Sequence, residues 1–164
     1  MIDAARAHAD LRAIYTRIDA LLEGYSCDAS TACCRFGVTG REPYVTSLEL
    51  DVLVRAVRAR GHARPPTRKR LPLATEAAER RCPLLGEDDR CVAYEARPFG
   101  CRTFFCERAL REHAPGKLPR RAIADLLREL SRLSETYDPR NGRGAPLTHA
   151  LTATLVERRP KPRY

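Results

Sequence analysis

The chain has 164 residues, 30 Lys and Arg against 21 Asp and Glu, seven cysteines and no tryptophan. That length suits one domain, residues 1–164, with a core of its own, and leaves no room for a second full-sized one. No apolar run is long enough to span a membrane, and the N-terminus mixes acids and bases unlike a secretory signal, so a cytoplasmic location is expected.

Residues 2–24 predict an amphipathic helix: Leu11, Ile14, Ile18, Leu21 and Tyr25 recur at spacings of three and four, and Gly24 supplies a stop. Residues 27–40 show no sustained period and carry three cysteines, which predicts a loop shaped by ligation. Thr46-Ser-Leu-Glu49 has the form of a capping box, in which a hydroxyl serves an orphan amide and the acid reaches back, opening a second helix that ends at Gly61. Leu50, Leu53, Val54 and Val57 form its apolar face. Residues 64–70 read as an exposed basic loop and residues 74–81 as a short helix. Residues 118–137 predict a helix with Ile123, Leu126, Leu127, Leu130 and Leu133 on one side, and residues 147–156 a last short helix before a frayed basic tail, 158–164. No clean alternating strand is visible. The expected fold is mostly α, a small single domain of about four to five helices framing cysteine-rich loops.

The cysteines fall into two groups, Cys27 with Cys33 and Cys34, and Cys82, Cys91, Cys101 and Cys106. In a reducing compartment thiols more often bind metal than pair, and an odd count cannot pair fully. Four thiolates suit a structural zinc or a four-iron iron–sulfur cluster. Seven exceeds either, which leaves two arrangements open: two zinc ions sharing a bridging thiolate, or one four-cysteine centre with the remaining thiols free for redox, substrate or partner work. Drawing ligands from groups so far apart would couple metal binding to folding. There is no C-x2-C knuckle of the ordinary zinc ribbon.

The adjacent pair Cys33-Cys34, the triplet Cys82-Pro83-Leu84 and the string Cys91-x-x-Tyr94-x-x-Arg97-Pro98-x-x-Cys101-Arg102-x-Phe104-x-Cys106 resemble the YkgJ-type cysteine-cluster proteins, a family described as zinc- or iron-chelating. The resemblance covers about residues 25–107, including residues 44–49, and implies a metal ion or cluster held by Cys27, Cys33, Cys34, Cys82, Cys91, Cys101 and Cys106. Ser30 stands where family members commonly carry a further cysteine, and a hydroxyl is a poor thiolate substitute toward soft metals.

Arg97 and Arg102 flank the ligating loop, where a guanidinium offsets thiolate charge and donates hydrogen bonds to sulfur; the alternative for Arg102 is bonding to loop carbonyls. Tyr94 and Phe104 are expected to pack over the site. His113 and His62 are candidate nitrogen ligands, whereas His8 and His149 are expected on solvated surface. Three functions follow: a metalloprotein acting as a redox or modification enzyme, a structural metal module that binds a protein or nucleic-acid partner, and a metal-handling chelator. The net charge of +9 invites the nucleic-acid version, but no recognition motif accompanies it.

Overall fold

The computed structural model describes residues 2–25, 31–61, 80–86, 88–112, 114–140 and 142–156. Residues 74–79 of the expected helix 74–81, the basic loop 64–70 and the tail 158–164 lie outside them, as do Cys27, Ser30, His62 and His113, while Arg80 and Arg81 form a turn and a bridge instead of helix.

Helix α1, Ala4–Leu21, begins where the Asp3 carboxylate accepts the Arg6 amide at 3.1 Å, an N-cap that serves one of the first-turn donors left without a helical partner. It buries Leu11, Ile14 and Ile18 of the predicted stripe together with Ala7 and Tyr15, while Leu21 and Tyr25 are half-buried at and beyond its end. A short α2, Phe36–Thr39, follows the first cysteine loop. Helix α3, Ser47–Ala59, opens on the expected capping box: Thr46 Oγ1 accepts the Glu49 amide and Glu49 accepts the Thr46 amide. One-turn α4, Phe99–Arg102, and α5, Glu107–Glu112, lie within and after the second cysteine group. The long α6, Arg120–Tyr137, and α7, Leu147–Val156, complete the helices among the described residues.

Leu126, Leu130 and Ser134 are the buried positions of α6, while Leu127 is 46% exposed. Sequence grouping put Leu127 on the apolar side. It sits one residue, and so about 100°, off the 126–130 row, and the facing helix covers only that row. Ser134 is small enough for its hydroxyl to meet that of Ser47 at 3.4 Å where α3 and α6 approach.

One short ladder was not visible in the sequence. Strand β1, Tyr44–Val45, pairs antiparallel with β2, Ala145–Pro146. Two residues are too few to show alternation, and nearly a hundred residues separate the partners. Gly144 precedes β2 at φ +82°, where an added Cβ would lie 2.9 Å from the Val45 carbonyl oxygen, so both conformation and proximity call for glycine.

Two apolar clusters share α3. The first joins α1 to Leu48 of α3, Phe99 of α4, and Leu126 and Leu130 of α6. The second gathers Phe36, Val45, Leu53, Val54, Val57, Leu84, Ala93, Leu147, Ala150 and Leu151 around Cys82, with Cys34, Cys91 and Cys101 packed against it. The cysteine loops therefore rest on the α3–α7 side. No helix among the described residues is long and apolar enough to cross a membrane.

Candidate metal centre

Backbone pairing brings three cysteine-bearing segments together. The first, residues 32–34, is a single 3-10 turn, and the Cys34 carbonyl accepts the Cys82 amide at 2.7 Å beside a bridge between Arg35 and Arg81. From Cys82 the chain doubles back: Gly86 N–H donates to the Arg90 carbonyl at 2.8 Å, Val92 N–H to that of Leu84 at 2.9 Å, and Leu85 bridges Cys91. Cys82 and Cys91 thus occupy the two arms of one tight turn. The third segment, α4, carries Cys101, whose amide donates to the Pro98 carbonyl at 2.9 Å.

None of the six described cysteines is in a disulfide; Cys33 is exposed, Cys82 is 7% exposed, and the rest lie between. Cys33 and Cys34 Sγ are 3.9 Å apart. Contact with Cys34 holds Cys33 below the ordinary thiol range, and the same contact together with burial raises Cys34 well above it. Burial pushes Cys82 up to about 12, and nearby Cys91 and Cys33 add to the effect. Cys101 is raised by burial and then by Cys82, Cys91 and Cys33. Cys91 is raised by burial, partly offset by the Ala93 amide and by Arg97 and Arg60. Cys33, Cys82, Cys91 and Cys101 therefore sit within one another's electrostatic reach, and Cys34 within that of Cys33, Cys82 and Cys91. Cys106 caps α5, its sulfur accepting the Ala109 amide at 3.5 Å.

Among the described residues, no three Cys, His, Asp or Glu side chains are gathered as a finished metal-ligand set. The donor chemistry fits a soft cation all the same. Each thiol that ionises in this cluster makes the next harder to ionise, and a metal ion placed among them reverses that penalty while selecting sulfur over oxygen ligands.

The two arginines diverge. Arg97 stacks on Tyr94 at 4.0 Å from the ring centroid, and its charge favours the thiolates of Cys33 and Cys91. Arg102 is buried and turns away from sulfur: it donates to the carbonyls of Arg97 at 2.9 Å and Glu95 at 2.6 Å, pairs with Asp19 of α1, and lies 4.1 Å from the centroid of the Tyr15 ring. Tyr94, expected to pack, is 55% exposed and carries Arg97 on its face, while half-buried Phe104 lies under Arg41.

Sequence reasoning missed three sets of long-range contacts. Glu49 was legible as a cap, but its carboxylate also accepts the Phe99 amide at 2.7 Å and the Tyr15 hydroxyl at 3.0 Å. Asp19 read only as a polar position on α1. His8, expected in solvent, has a side chain 12% exposed and meets Asp51 at 2.9 Å. No local pattern announces contacts that span thirty residues or more, whereas His149 is exposed as expected.

No curated protein and no solved structure matches this chain. A family model does: CxxCxxCC, described as a "putative zinc- or iron-chelating domain", matches residues 26–118. Its signature falls on Cys27-x-x-Ser30-x-x-Cys33-Cys34, with serine at the second position. The match covers more than half of the chain, and with the clustered thiols it identifies the protein as a member of the CxxCxxCC, or YkgJ-type, family of metal-chelating domains.

Proposed function

We propose that this chain is a cysteine-ligated metalloprotein whose centre is a four-thiolate site built from Cys33, Cys82, Cys91 and Cys101, taking zinc or a four-iron cluster. The carrying observation is that backbone pairing sets the Cys33-Cys34 turn beside Cys82 and folds the arms bearing Cys82 and Cys91 together, with Cys101 near enough that Cys82, Cys91 and Cys33 all disfavour its thiolate. Such a site supplies either a structural cation or, with iron and sulfide, a one-electron carrier. The Cys34 sulfur lies 3.9 Å from that of Cys33, and Arg97 offsets the negative charge that several thiolates bring. Cys27 and Cys106 are the family's remaining cysteines in the sequence, and free thiols suit a reducing compartment such as the cytoplasm.

Anaerobic purification followed by elemental analysis and absorption spectroscopy tests the proposal. One zinc, or about four irons with matching sulfide and visible absorption, per chain is expected. Cys82→Ser or Cys101→Ser is expected to abolish stoichiometric binding. A full complement of metal retained in both variants would overturn the assignment.

A further inference from the structure

Helix α4 is a single turn, and a single turn does not hold itself: fixing its backbone angles costs more than its few hydrogen bonds return. It begins at Pro98, which has no side chain to cap it. The missing cap comes from another helix. Glu49 Oε1 accepts the Phe99 amide at 2.7 Å, while Oε2 accepts the Thr46 amide at 3.0 Å and its hydroxyl at 2.9 Å. One carboxylate, 2% exposed, thus caps two helices at once. The Tyr15 hydroxyl holds it from α1 at 3.0 Å. The far end of α4 is pinned by Arg102 to Asp19, and its middle sits so close to the chain before β1 that a Cβ on Gly100 would lie 3.0 Å from Pro43 Cβ. Cys101 lies between these anchors.

We propose that Glu49 is a positioning residue for the Cys101 ligand, fixing the turn that carries it by accepting the Phe99 amide. The inference rests on the metal-centre reading above. Charge alone predicts the opposite effect, because a carboxylate near Cys101 disfavours its thiolate. Removing Glu49 would then tighten metal binding. Positioning predicts weaker binding, and the sign separates the two.

The test uses the full-length chain loaded with cobalt(II), whose thiolate absorption reports the sulfur ligands, with affinity read by competition against a chelating dye. Glu49→Ala is expected to weaken cobalt binding roughly tenfold or more, the range for residues that orient a ligand, and to lower the thiolate charge-transfer intensity by about a quarter as one of four sulfurs leaves. Glu49→Gln keeps an amide oxygen toward Phe99 and is expected to restore most of the affinity and the full intensity. If Glu49→Ala does not fold, Tyr15→Phe decides. It keeps the ring beneath Arg102, frees the carboxylate from one donor, and is expected to weaken binding a few-fold. Affinity and spectrum unchanged in Glu49→Ala, or in Tyr15→Phe where that variant decides, would overturn the positioning role alone. Failure of the unsubstituted protein to bind cobalt would overturn the metal-centre reading and this inference with it.

Discussion

Asp51 gathers three helices on one side chain. Its carboxylate accepts from His8 of α1 at 2.9 Å, from Tyr137 of α6 at 3.2 Å and from Arg55 of its own helix at 3.2 Å. Burial raises its pKa, but Arg55, Tyr137 and His8 outweigh that and hold it below the usual carboxylate value. A lowered folded pKa means the stabilisation is complete above the unfolded value of about 4 and is lost as pH falls through the folded one. Urea unfolding from pH 7 to pH 3 is therefore expected to show a steeper acid loss in the natural protein than in Asp51→Asn. At pH 7 that substitution is expected to cost about 1 kcal/mol, the scale of a charge-assisted hydrogen bond discounted for partial exposure. Parallel acid profiles would show that the cluster adds nothing. Arg102 makes a related point: a guanidinium beside a cysteine need not serve sulfur. Its donors go to two carbonyls and Asp19, because the loop's buried carbonyls also need partners.

Among the elements, the β1–β2 ladder is the smallest and joins the two ends of the second cluster. It delivers Val45 and Leu147 to the core beside Cys82, and the Pro43 carbonyl accepts the Leu147 amide at 3.0 Å. Glu42 accepts the Thr148 amide at 2.7 Å, tying the first turn of α7 to the chain before β1. Gly144→Ala places a Cβ in the left-handed region against the Val45 carbonyl and is expected to destabilise the fold by about 1–3 kcal/mol, read by thermal or urea unfolding. A variant as stable as the natural protein would show that the ladder tolerates displacement. The tight turn over residues 82–92 is likewise held from outside, by the Arg60 side chain donating to the Val92 carbonyl at 2.6 Å.

At the scale of the molecule, the two clusters have different sources of stability. The α1–α6 side is built from long helices with continuous apolar stripes. The cysteine side is built from short turns resting on α3 and α7, with Cys82 buried and Cys34, Cys91 and Cys101 half-buried at its centre. Metal binding is therefore expected to stabilise the second side most. With free zinc about a thousandfold above its dissociation constant, linkage gives about 4 kcal/mol. Stripping the metal with a chelator is expected to lower Tm and to speed amide hydrogen exchange at residues 82–101 more than in α1 and α6. Equal exchange across both sides would rule out a stabilising metal on the cysteine side.

The mostly helical fold, the stripes of α1 and α3, the capping box and the family were legible in the residues, because periodicity, caps and cysteine spacing are local properties that a linear chain displays. Leu127, the β1–β2 pair and the second bond of Glu49 were not. Tertiary packing selects which flank of a stripe is covered, and a hydrogen bond across fifty residues leaves no trace in spacing. The sequence by itself determined that the cysteines form a metal-chelating family pattern and that helices frame them. Only the tertiary structure decided that Cys33, Cys34, Cys82, Cys91 and Cys101 share one neighbourhood, that Arg97 and not Arg102 lends its charge to Cys33 and Cys91, and that Glu49 caps the turn bearing Cys101. Each of those depends on where the chain returns to itself.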